Sequence, residues 1–282
     1  MATFFQALRR NGMLSAGIFT LSLMAVLWLI GYFWVDIKMA APLSAPTDLP
    51  PSRDYLLGTD SAGRQLLAVM VAGTPTTLQI GLIAGALGMI FGTILGFTAG
   101  YFGGIVDSII RSAADVALTV PALAVLVVIA SVISKTLSPE ILALIIAALA
   151  WMWPTRTIRS QVLTMRERAY IEVARLNGLN NFEIIFKELM PNLLPYLAAS
   201  FVGAVSSAVL AAIGLEALGL GPQSEPTLGM TIYWARYYNG LPRGMWWWWA
   251  PPVIIIIMLF ISLFMIAAGL DQIANPRSRR SA

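Results

Sequence analysis

The chain has 282 residues, 58% of them hydrophobic and only 11% charged, with a mean hydropathy of +0.78 and a formal net charge of +4. That composition excludes a soluble globular domain and calls for membrane spans of about 20 residues each. Cysteine and histidine are both absent, which removes disulfides, a thiol nucleophile, the usual general base and the usual metal ligand.

The first residues, 1–12, are basic at Arg9 and Arg10, and Met13 to Val35 follows as an apolar run. That run is longer than a signal-peptide core of about 7–15 residues, and no small-x-small site follows it cleanly, so it reads as a retained first span. Residues 36–75 are polar, with prolines at 42, 46, 50 and 51. Together, 1–75 form an N-terminal tail, first span and extracytoplasmic segment ahead of a transmembrane domain at 76–282.

Further spans are expected at Leu78–Phe102, Val116–Ile133, Thr136–Trp153, Leu193–Leu215 and Ala250–Leu270. The expected fold is all-α, a polytopic membrane protein with six transmembrane helices. In the second span Gly81, Gly85, Gly88, Gly92, Gly96 and Gly100 keep to one helix face, a groove for close helix packing or, second, a pore wall. Small residues recur in the fifth span at Ala199, Gly203, Ser206, Ser207 and Ala211, suited to a smooth, uncharged pore. Asp107, Arg111 and Asp115 lie four apart and are expected to pair along one helix face.

With the N-terminus inside, twelve of the 18 basic residues fall on inner segments and six on outer ones. This bias predicts both termini and the long polar loop at 156–195 on the cytoplasmic side. The outer segment before the sixth span is aromatic, at Tyr233, Trp234, Tyr237 and Tyr238 and then Trp246 to Trp249. The four tryptophans read as an interfacial belt. The other four are expected to contact a receptor protein or a passing substrate, with 233 and 237, or 234 and 238, sharing a helix face.

Within the long loop, Glu172 to Asn177 predicts a helix that Gly178 ends in the left-handed conformation. Asn181 is then expected to cap a second helix carrying Phe182, Ile185, Phe186 and Leu189 at helical spacing, closed by Pro191 and Pro195. Glu172, Ala174, Gly178 and Pro191 stand at the spacing of the EAA loop, which this stretch resembles. That loop belongs to the permease subunits of bacterial ATP-binding-cassette (ABC) importers. The resemblance implies a coupling helix docked in a groove on an ATPase subunit.

A second resemblance lies at Leu57-Gly58-Thr59-Asp60-Ser61-Ala62-Gly63-Arg64, similar to the LGTD-x-x-GR segment of the dipeptide, oligopeptide and nickel importer permeases, in their C-type subunit. Gly100-Tyr101-Phe102-Gly103-Gly104 with Asp107, and Leu270-Asp271 with Asn275-Pro276-Arg277, extend it along nearly the whole chain. Read from the residues alone, Asp60 and Arg64 are an i,i+4 pair in a turn-to-helix segment.

No GxxxxGK[ST] loop is present, so the chain is not expected to be the ATPase. Without histidine no Ser-His-Asp or metal constellation is available, so neither an enzyme nor a resident cofactor is expected. The family implies that ATP and Mg are bound by two partner ATPase subunits. It also implies a homologous second permease, an extracytoplasmic solute-binding protein, a lipid surround in a bacterial or archaeal inner membrane, and no nucleic acid. Di- and oligopeptides are the substrates it implies first; oligosaccharides come second because of the outer aromatics, and nickel third. A passive channel or secondary transporter is the competing class. It requires ionisable groups near the bilayer midplane, where only Glu216 and Asp115 come close.

Overall fold

The computed structural model describes residues 11–133 and 137–274. Arg9, Arg10, Lys135, Arg277, Arg279 and Arg280, which enter the orientation argument, lie outside them, as does the Asn275-Pro276-Arg277 match. Among the described residues the regular elements are helices, and strand pairing is limited to one isolated bridge between Thr59 and Gln65.

Helix α1 covers Gly12–Trp34. Asn11 caps it by accepting from the Leu14 amide at 3.2 Å, and its own amide donates to the Gly269 carbonyl at 2.9 Å. The start of α1 is thereby tied to the end of the last helix, where Gly17 and Gly269 let the two backbones close up. Helix α2, Leu66–Phe102, is about 55 Å long at 1.5 Å per residue. It therefore exceeds the roughly 30 Å hydrocarbon layer and begins well before Leu78, so the division drawn at residue 75 falls inside a helix. Pro75 leaves the Val71 carbonyl without its amide donor; the Trp28 indole takes that place from α1, at 2.7 Å.

The third and fourth spans are bent. Helix α3 (Gly104–Thr119) meets α4 (Ala122–Val132) at 81°, and α5 (Pro139–Ala150) meets α6 (Met152–Arg166) at 41°. Pro121 forces Val120 into an extended conformation, ψ 130°, which ends α3. Among the described residues four helices are long and apolar enough to cross a membrane, or six if each bent pair is one span. The charged stretch after Trp153 is helical too, since α6 carries Arg156 and Arg159.

Helix α7 is Ala169–Leu176, and α8 runs from Asn181 to Ala217 as one 37-residue rod. Pro191 and Pro195 do not close it. A π-helical turn at Ile184–Leu189 widens the rod just before Pro191, so the chain continues past both prolines. Helix α9 is Leu228–Tyr237 and α10 is Trp246–Ala274.

The glycine face of α2 packs against other helices. A Cβ on Gly85 would stand 2.7 Å from the Val205 Cα of α8, one on Gly88 2.8 Å from the Ala150 carbonyl carbon, and one on Gly100 2.9 Å from the Arg159 carbonyl oxygen. Gly81 meets Val209 of α8, and Gly92 and Gly96 meet Pro154 and Ile158 of α6. Asp107 and Asp115 pair across to α6, not along α3: Arg159 makes a bidentate pair with Asp107, and Arg156 lies 3.8 Å from Asp115. The Arg159 guanidinium spans both Asp107 carboxylate oxygens from the adjacent helix, and Arg111 adds only its charge nearby.

Candidate functional site: a coupling loop, a lined cavity and an outer cap

The α7–α8 connection is built from two local stop-and-start signals. Gly178 has φ +81°, its amide donates to the Arg175 carbonyl at 3.0 Å, and Leu179 donates to Ala174 at 3.2 Å. These two bonds form the Schellman end of α7. The next cap is Asn180, not Asn181. Its side chain accepts from the Glu183 amide at 2.9 Å while the Glu183 carboxylate accepts from the Asn180 amide at 3.1 Å, a reciprocal capping box. Asn181 is left for another partner: its Oδ1 accepts from the Tyr101 hydroxyl at 2.9 Å.

The inner face of this helix–turn–helix is fixed by Ile171, Ala174, Ile184, Ile185 and Leu189, which pack on Phe97, Ile158 and Val162. The outer face is apolar and bare: Val173 is 54% exposed, Leu176 82%, Phe182 69% and Phe186 58%. Glu172 lies exposed in the first turn of α7 beside them. Of the four family positions, Ala174 is buried underneath, Gly178 makes the turn, Glu172 faces out, and Pro191 follows the π turn in α8. Phe182 and Phe186 share an i,i+4 stripe, and the sequence shows that spacing without showing which stripe is bare. Tyr170, at the foot of α7, is held above the usual phenol pKa by burial and by the nearby Glu188 carboxylate.

A cavity of about 580 Å³ opens among α3–α6 and α8. The α8 face that lines it is Tyr196, Ser200, Gly203, Ser207 and Ala211, and the opposite wall includes Pro121 at the α3–α4 break and Ala150 and Met152, which flank the α5–α6 break. No charged side chain lines it. Gly203, Ser207 and Ala211 were visible as small residues in the sequence. Ala199 is instead buried, and Ser206 bonds back to Val202 at 2.9 Å. Tyr196 and Ser200 carried no signal beyond their helical register with them. None of the six α2 glycines lines the cavity.

A cap at the end of the bundle opposite the α7–α8 loop is formed by the segment before α2. Asp60 is fully buried, its carboxylate accepting from the amides of Ala62 and Arg64, both at 2.9 Å, and from the Arg64 guanidinium at 2.6 Å. Thr59 donates to the Pro46 carbonyl at 2.7 Å, and Gly58 and Gly63 take positive φ where a Cβ would strike the Leu49 and Ala45 carbonyls at 2.5 Å. These residues therefore hold a turn. Trp247 covers Gly58, and Trp248 is fully buried with Leu66, Ala235 and Met245. At least one tryptophan of the expected belt is thus core, since the cap packs over the start of α10.

The outer aromatics stack mainly on one another: Tyr233 on Tyr237 at 5.8 Å, Trp234 near Tyr238 at 6.0 Å, and Tyr238 on Trp248 at 6.0 Å. They do not line the cavity. Glu216, at the end of α8, is buried beneath the N-terminus of α9, so near Gly229 that a Cβ there would lie 2.2 Å from Oε2. Asp115 faces Arg156 at the surface. Neither is placed in the cavity.

Comparison with known proteins agrees with this architecture. The dipeptide transport system permease protein DppC of Bacillus subtilis is 29% identical over 279 residues, 98% of this chain and 85% of its own length. The oligopeptide transport system permease protein OppC of Mycobacterium tuberculosis is 27% identical over 205 residues, 72% of this chain and 69% of that one. The glutathione transport system permease protein GsiD of Pectobacterium atrosepticum is 28% identical over 221 residues, covering 77% and 71%. Among solved structures, the inward-facing MetNI methionine ABC transporter shares the fold, with a TM-score of 0.59 at 17% identity over 74% of this chain and 95% of that one. The profile of one family matches residues 92–280, the part holding the α7–α8 helix–turn–helix, the cavity and the last helix, and the chain belongs to that family, the binding-protein-dependent transport system inner membrane components.

Proposed function

We propose that this permease passes di- and oligopeptides across a bacterial or archaeal inner membrane as one half of an ABC importer. The observation that carries the reading is the bare apolar crest on the α7–α8 helix–turn–helix. Four large apolar side chains held rigidly outside a membrane bundle require a protein partner. An ATPase subunit is that partner, and a second ATPase docks likewise on a homologous permease that closes the other side of the cavity. The ATPases bind ATP and Mg, and this chain contributes no catalytic group. Both termini and the loop face the cytoplasm, in keeping with the distribution of Lys and Arg.

A peptide substrate is supported by the similarity to permeases named for dipeptides, oligopeptides and glutathione. The uncharged, Ser-, Gly- and Ala-lined α8 face suits a varied cargo better than a fixed one. An extracytoplasmic solute-binding protein delivers the peptide at the α9 and cap side, where Tyr233, Trp234, Tyr237 and Tyr238 meet it. Closure of the ATPases then moves the loop, and the cavity changes the side to which it opens.

Phe182→Asp tests the dock. Placing a carboxylate on the crest should lower ATPase copurification at least tenfold while the permease still inserts, as expected for an interface anchor worth about 2 kcal/mol. Undiminished copurification would remove the basis of the assignment. Uptake of trialanine by the intact importer, with maltotriose as competitor, checks the substrate class: competition by the sugar would sink the peptide reading.

A further inference from the structure

Tyr101 ends the long helix α2, and its surroundings converge on it from the whole coupling loop. It is 6% exposed and packs with Ile171 and Ala174 of α7 and with Ile184, Ile185 and Leu189 of α8. Its hydroxyl donates to Asn181 at the start of α8, at 2.9 Å. From α7, the Arg175 guanidinium lies over its ring, 5.9 Å from the centroid. From the end of α6, Arg166 donates to the Gly100 and Tyr101 carbonyls at 3.0 and 3.3 Å. All three pieces of the loop region therefore hold one residue. The helix that carries it packs through its glycines directly on α5, α6 and α8, which line the cavity.

We propose that Tyr101 is the positioning residue through which movement of the ATPase-docked loop is passed to α2 and thence to the cavity. The proposal rests on the reading of that loop as the dock. Its chemistry is specific to tyrosine. A phenylalanine would keep the ring in the apolar layer and under Arg175, but would leave α8 without its polar strut to α2. The strut also accounts for the Asn180-Asn181 pair, since the first asparagine caps α8 and the second is free to accept from Tyr101.

The chain has no cysteine, so a single Ser207→Cys in the assembled importer, with partner thiols blocked beforehand, reports access to the cavity by thiol labelling. The probe is ATP with vanadate, which needs no transported substrate. In the Ser207→Cys parent, trapping should change the labelling rate. Adding Tyr101→Phe or Asn181→Ala should shrink that change about two- to tenfold, the range one hydrogen bond commands. The two together should be no worse than either alone, with basal ATP hydrolysis and ATPase copurification unchanged. A full labelling change in Tyr101→Phe overturns the proposal, as does lost ATPase copurification, which would make the residue only part of the dock. No change in the parent would instead sink the transport reading itself.

Discussion

At the scale of single residues, the α7–α8 helix–turn–helix depends on a few positions whose backbone needs are exacting. Gly178 adopts φ +81° with no heavy atom within 4 Å of where a Cβ would stand. Its constraint is therefore conformational and not steric contact with a neighbour. Gly178→Val should cost roughly 1–2 kcal/mol through the left-handed conformation alone, whereas Gly178→Asn should cost much less, since asparagine tolerates it. Receptor-stimulated ATP hydrolysis in the assembled importer checks this, and equal effects of the two variants would show that space and not dihedral angle governs the position. Gly178 was legible from spacing. The cap at Asn180 instead of Asn181 was legible too, since Glu183 stands three residues after Asn180 as a capping box requires, whereas Ile184 stands three after Asn181. The contact of Asn181 with Tyr101 was not.

At the scale of elements, α2 shows how a helix can be long, apolar and yet closely packed by its neighbours. Its glycines admit neighbouring backbones, and close approach replaces the hydrophobic drive that lipid does not supply. Gly85→Val should therefore lower thermal stability in detergent by about 1–3 kcal/mol, the range for forcing atoms into a packed site. Gly203→Ala on α8 should leave stability unchanged or slightly raised, since nothing lies within 4 Å of its Cβ position and alanine favours the helix by about 1 kcal/mol. A Gly203→Ala loss as large as that of Gly85→Val would show that α8 packs where the structure leaves it open. The prolines teach the same lesson differently. Pro75 and Pro191 sit inside helices because a tryptophan indole supplies the missing donor in one case and a π turn relieves the other.

At the scale of the whole molecule, the cap ahead of α2 closes on the turn between α9 and α10 through a short ion pair. Arg243 donates to Asp48 at 2.6 Å and to Ser61 at 3.0 Å, and Ser61 donates to Asp48 at 2.5 Å. Burial opposes ionisation of Asp48, but hydrogen bonds from Arg243 and Ser61 prevail and hold its carboxyl below the usual carboxylate range. A lowered folded value means that the stabilisation is complete above the ordinary aspartate pKa of about 3.9 and is lost as pH falls through the folded value. Because both partners are partly exposed, the loss should stay under about 1 kcal/mol. Melting curves of wild type and Asp48→Asn should therefore differ at neutral pH and converge only as the pH falls through the lowered folded value of Asp48. A gap that persists at acid pH would assign the effect to packing.

The sequence by itself determined the class, the number of apolar segments, the glycine face of α2 and the helix–turn–helix of the loop. Each of these follows from local propensity or from a periodic pattern along one chain. Spacing alone also identified Asp60–Arg64 as a pair. Only the tertiary structure decided which way the third and fourth spans bend, which small residues line the cavity and which pack, and that Asp107 and Asp115 pair with α6. It also showed that Trp248 belongs to the core, while the outer tyrosines stack on each other. Those outcomes turn on which face of a helix another helix covers, a contest between distant segments for the same surface. In a chain this apolar, hydropathy does not distinguish a face turned to lipid from one turned to protein.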